Sequence, residues 1–129
     1  MNKVTEQGKL LVGVALNGEL HSDFELRPAT LADTYKAAAA VPVPDSLTVN
    51  PASRVAYQMA VDDAVIMFQL TRLGTLSPMP APPALAAEID PDDMAILRQA
   101  AEDVKKKLHV SRSNLSATAA PSSSSSAPG

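Results

Sequence analysis

The chain has 129 residues, a formal net charge of -3 and a hydrophobic fraction of 46%, but only Phe24, Tyr35, Tyr57 and Phe68 are aromatic. That length suits one domain with a modest core, and the charge argues against nucleic acid, whose binding needs clustered Lys and Arg to neutralise phosphates. Cysteine is absent, which excludes disulfides and thiol chemistry and fits a reducing compartment. The sequence shows no apolar leader and no apolar run near the roughly 18 residues of a membrane span, so a soluble protein without a membrane partner is expected.

Residues 1–8 are polar and read as a flexible N-terminus. KLLVGVAL (9–16), Asn17-Gly18 and ELHSDFEL (19–26) form a β-hairpin signal, because Asn and Gly accept the positive φ of a tight turn. A two-residue loop would set Leu10, Val12 and Val14 opposite Glu25, Asp23 and His21. A three-residue loop with Gly in the αL position aligns them instead with Phe24, Ser22 and Leu20, so an odd loop with a bulge is expected.

Arg27-Pro28 ends the strand, since Pro lacks a ladder donor and biases its predecessor toward extended backbone. Thr30 and Asp33 then supply helix-start chemistry for a helix over about 31–40, with Leu31, Tyr35 and Ala38 on one stripe. VPVPDSLTVNP (41–51) is a proline-broken connection. Asn50-Pro51 opens the longest predicted helix, 51–73, with Gly74 as its stop and a stripe of Val55, Met59, Ile66, Leu70 and Leu73.

A proline-rich connection over 76–85 and a short helical turn in ALAAEI follow. Asp90, as N-cap, and Pro91 then open a last helix to about 108, with Met94, Leu97, Ala101, Val104 and Leu108 inward. Lys105, Lys106 and Lys107 read as its C-terminal cations. The Ser/Ala/Pro-rich stretch 110–129 buries too little to fold and is expected to be a disordered tail. The fold class is thus α+β, a hairpin followed by about three helices in one domain over 9–109.

No residue pattern points to chemistry. Asp90, Asp92 and Asp93 lack the glycine and further oxygen donors of a calcium loop and read as capping acids. Asp62 and Asp63 are adjacent on a helix and diverge, one toward solvent and the other toward a partner or a nearby Arg. His21 and His109 have no metal-pair spacing, and no nucleophile elbow or phosphate-binding glycine loop is present. No catalytic residue, cofactor or metal is therefore assigned, and the protein is not expected to be an enzyme.

Taken together, HSDFELRPATLADTYKAA, YQMAVDDAVIMFQLTRLGTLSP and ALAAEIDPDDMAILRQAAEDVKKKL resemble the tail assembly chaperones of Mu-like and related contractile-tailed phages. Phe24, Leu26, Arg27, Thr30 and Asp33 match the junction into the helices, Leu70, Leu73 and Gly74 the middle segment, and Asp93 with Leu97 the last helix. The resemblance covers residues 9–108 and excludes the 41–51 connection and the Ser-rich tail. It implies a factor of the host bacterial cytoplasm, absent from the finished virion, that binds the tape-measure protein, keeps it soluble and recruits tail-tube subunits. It also implies a frameshifted longer form contacting tube protein.

The apolar excess in the middle of the longest helix suggests a partner surface at Val61, Val65, Met67 and Phe68, suited to helix-in-groove contacts, and the small core leaves room for a partner or self-association to complete it. The competing reading is that these residues pack against the hairpin and the last helix. Rival functions are a minor structural or tail-completion protein of the phage tail, and a small regulator of one host target.

Overall fold

A computed structural model describes residues 3–45 and 50–119. Strands β1 (Glu6–Leu16) and β2 (Glu19–Leu26) are followed by helices α1 (Leu31–Ala40) and α2 (Pro51–Gln69), strand β3 (Leu70–Leu73), a short helix α3 (Pro82–Ala86) and the long helix α4 (Pro91–Ala119). The strands make one antiparallel sheet in the order β1-β2-β3. The α+β class stands, but the sheet has three strands where a plain hairpin was expected, and four helices lie among the described residues. None of these helices is long and apolar enough to cross a membrane.

The hairpin turns on two residues, not three. Asn17 and Gly18 both have positive φ, 55° and 76°, and Leu16 pairs directly with Glu19, the geometry that matches strand twist. The odd displacement that the apolar pattern demands occurs farther along. Lys9 pairs with Asp23 and Val14 with His21, so Leu10 through Gly13 bulge out opposite Ser22. The shift in register is odd, so Leu10 and Val14 of β1 enter the core together with both His21 and Phe24 of β2, which an unbroken pairing would place on opposite faces.

The helix expected to reach residue 73 stops at Gln69, and Leu70–Leu73 becomes a strand. Leu26 pairs with Leu70 and Glu25 with Arg72, which leaves Thr71 as an extra residue and turns both Leu70 and Leu73 inward. A spacing of three puts two leucines on one face of a helix, and a strand with a one-residue bulge does the same. Gly74 ends this strand rather than a helix. Its φ is 57°, its amide donates to the Asp23 carbonyl at 2.6 Å, and any side chain there would run into the ring of His21.

Phe24, Leu26, Leu73, Leu85, Leu97 and Val104 are fully buried, and the first five share one core cluster with Ile66, Met67 and Ala100. Two predicted ends differ. Strand β1 begins at Glu6, inside the segment read as flexible, where Lys107 pairs with the Glu6 carboxylate at 2.6 Å and donates to the Thr5 carbonyl at 3.1 Å. Helix α4 continues to Ala119, so the three lysines sit in mid-helix and part of the presumed tail is helical. Residues 120–129 of that tail, and 46–49 of the proline-broken connection, lie outside the described residues.

Candidate functional site

Among the described residues four polar side chains are buried: His21, Asp33, Gln69 and Asp93. Each is occupied by the fold itself. The Asp33 carboxylate takes a two-pronged ion pair from the Arg27 guanidinium, at 2.7 and 2.8 Å, and accepts the Thr30 amide at 2.8 Å. Those hydrogen bonds from Arg27 hold the Asp33 carboxyl below the usual carboxylate range, although its burial opposes them. The same guanidinium donates to the Phe68 carbonyl at 3.0 Å, the Arg27 amide donates to the Gln69 carbonyl at 3.0 Å, and Gln69 Nε2 returns a bond to the Arg27 carbonyl at 2.9 Å. A cation thus caps the carbonyl end of α2 and an anion the amide end of α1, each where the helix dipole favours it. The Arg27–Asp33 junction fixes the two helices to the sheet.

Asp93 performs the corresponding task for α4. Its carboxylate accepts the amides of Leu11, Val12 and Gly13 at 2.7, 3.0 and 2.8 Å. The β1 bulge presents these three donors as a concave nest, and Gly13 supplies the required φ of 87°. His21 receives the Thr75 amide on Nδ1 and lies 3.3 Å from the Leu16 carbonyl through Nε2, so both ring nitrogens have partners. Asp90 accepts the Asp92 amide at 2.8 Å, as an N-cap does.

Of the two adjacent acids, Asp63 accepts a forked pair from Arg98 at 2.9 and 2.8 Å, tying α2 to α4, while Asp62 is exposed and bonded by Gln58 at 2.9 Å. His109 is exposed on α4, far in sequence from His21 on β2. Among the described residues no three His, Asp or Glu side chains converge as a metal set.

The apolar surface lies elsewhere. Of the four residues read as partner-binding, Val61 and Met67 are 6% and 3% exposed and belong to the interior, and Val65 and Phe68 are half-buried. Helices α1 and the first half of α2 instead form an arm. In α1 only Asp33 and Ala37 are buried, and the α2 residues from Pro51 to Ala60 are exposed or half-exposed throughout.

That arm displays Leu31 and Tyr35 at 64% and 66% exposure, and Val55 and Met59 at 62% and 56%. Each pair is spaced one helical turn apart, so each is a stripe. Both stripes look like core in the sequence, and the stripe on α2 indeed continues into buried Ile66. What separates exposed from buried is only how far α1 and the body reach along α2.

No family model, curated protein or solved structure matches the chain.

Proposed function

We infer that the protein is a non-enzymatic assembly chaperone of a contractile-tailed phage, one that binds the long helical tape-measure protein and holds it soluble until tail-tube subunits replace it. The observation that carries this reading is the arm, whose Leu31, Tyr35, Val55 and Met59 stand exposed on a small domain with enclosed polar groups. A helical target laid along two short apolar stripes gains little per copy, and many copies along one long chain add through avidity. Methionine at position 59 suits a target without a strict repeat. The resemblance of the junction, middle and last-helix motifs to tail assembly chaperones points the same way, and implies a role in the host cytoplasm and absence from the finished virion.

The test is co-expression with the long helix-rich protein encoded nearby, followed by size exclusion. The expected result is that this protein renders its target soluble and co-elutes in several copies, and that Val55→Ser with Met59→Ser abolishes this without loss of helical signal. Separate elution with unchanged solubility, together with recovery of the protein from purified virions in fixed stoichiometry, would establish a structural component of the tail instead.

A further inference from the structure

A second open surface lies on the body, away from the arm's apolar stripes. Between the distal part of α4, the residues before β1 and the outer side of β2 and β3 runs an open groove of about 720 Å³. Leu108, Arg112 and Leu115 line it from α4 at successive spacings of four and three, so they occupy one helical face. Val4 and Lys3 line the opposite wall, and Thr71 contributes from β3. Leu115 is 68% exposed, and α4 carries this amphipathic face well past Val104, the last of its described residues that is buried.

The charges of the groove are unbalanced. Arg27 at its inner end is committed to Asp33, Lys107 on the adjoining face to Glu6, and Glu25 faces Arg72 at 3.9 Å. Lys3 and Arg112 have no ion-pair partner among the described residues, and α4 has no Asp or Glu after Asp103, whereas Lys105, Lys106, Lys107 and Arg112 all follow it. The chain's own last residues, APSSSSSAPG, offer neither an acidic side chain nor a large apolar one. The occupant that complements the groove is therefore not that segment.

We propose that this groove docks an acidic segment of a partner protein, which inserts one leucine-sized side chain between Val4, Leu108 and Leu115 and sets carboxylates against Lys3 and Arg112. The apolar contact supplies affinity through removal of that side chain from water, and the cations select the sequence around it. The inference does not depend on what the arm binds.

The experiment is amide chemical-shift mapping of the full chain, titrated with a synthetic peptide carrying glutamates on both sides of a single leucine. Control peptides replace the glutamates by lysine, or the leucine by serine. The expected result is saturable shifts confined to Lys3–Thr5, Thr71 and Leu108–Leu115. Both controls weaken the shifts, added salt weakens them, and Arg112→Glu reduces affinity by about tenfold or more, the size of one lost favourable charge contact.

Arg112 and Leu115 are exposed, so Arg112→Glu and Leu115→Ser are expected to fold; a dispersed amide spectrum for each verifies it. Absence of shifts, shifts centred on another face, or equal binding of the lysine peptide would overturn the proposal. So would concentration-dependent shifts of the free protein that pair the groove with Glu88–Asp93 of a second copy, since the groove would then be filled by the chain itself.

Discussion

Asp93 and Gly13 stand 80 positions apart, and the carboxylate of the one accepts the backbone amide of the other at 2.8 Å, as it does those of Leu11 and Val12. A bulge of this length exposes amides that the sheet cannot pair, and a buried side chain from the first turn of α4 replaces the missing strand. Replacing Asp93 by Ala leaves three donors without that acceptor. Hydrogen bonds to a charged group contribute about 1.5–3 kcal/mol each, so the loss is expected to exceed about 3 kcal/mol. Urea unfolding measures it, and hydrogen exchange at Leu11, Val12 and Gly13 should accelerate more than at Phe24.

The Arg27–Asp33 pair is expected to make stability depend on pH in a definite direction. Because Arg27 holds the folded carboxyl below its ordinary range, the unfolded chain takes up that proton at a higher pH than the folded one. The contribution is complete above the unfolded value of about 3.9, and it is lost as pH falls through the lower folded value. The stability gap between the parent protein and Asp33→Asn should thus narrow on acidification in that range. Urea midpoints stepped from neutral to acidic pH decide this, and a constant gap would show that the ionised form contributes nothing.

Lysine cannot reproduce the fork that Arg27 lays on Asp33 or its additional bond to the Phe68 carbonyl. Arg27→Lys should cost about 1–3 kcal/mol while keeping the fold, and Arg27→Ala more, because it leaves Asp33 buried without its counter-ion. Thermal unfolding of the two variants side by side provides the comparison.

Two glycines with positive φ separate backbone strain from crowding. Gly18 has φ 76° and nothing within 4 Å of an added Cβ, whereas Gly74 has φ 57° and abuts His21. Gly18→Ala should cost about 1 kcal/mol and Gly74→Ala more than about 3, from αL strain in both and a steric clash in the second alone. Near-equal losses would mean that His21 moves aside freely.

Val61 and Val55 should exchange roles between stability and binding. Val61→Ala opens the interior and is expected to cost about 1–3 kcal/mol, and Val55→Ala, on the open arm, less than about 0.5. In a tape-measure solubility assay the order should reverse.

Local chemistry was legible in the sequence wherever one residue acts on its near neighbours. The place of the turn at Asn17-Gly18, the Thr30 and Asp33 helix start, and the Asn50-Pro51 and Asp90-Pro91 openings all follow from contacts a few positions away, whereas the divergence of Asp62 and Asp63 follows from helix geometry alone and Arg98, 35 positions on, supplies the partner of Asp63. The misreadings arise where a long-range partner decides. His21 counts as an outward polar residue until Thr75 and the Leu16 carbonyl satisfy it, and that assumption misplaced the odd step of the hairpin from the β1 bulge to the turn.

Leu70 and Leu73 share a face in a helix or in a bulged strand, and only pairing with β2 chooses between them. Val55 and Met59 have core spacing, but α1 is too short and too sparsely apolar to cover them. The motif residues that suggested a phage chaperone, Arg27, Asp33, Gly74 and Asp93, turn out to hold elements together, so they speak to architecture and leave the binding surface to residues outside the motifs.

The nest in β1 also bears on how the chain is made. During synthesis residues 11–13 leave the ribosome long before Asp93, and until that carboxylate arrives their amides have only water as partner. The β1–β2 hairpin can pair early through its turn, and β3 can add to β2 once residue 73 is out. The bulge, with Leu11 and Val12 on its outer side, acquires its final shape only when α4 docks, and hydrophobic surface meant for α4 stays open for that interval. A polypeptide stalled between β3 and α4 is therefore the species most exposed to aggregation, and the last helix acts as the closing step of folding rather than as an appendage to a finished sheet.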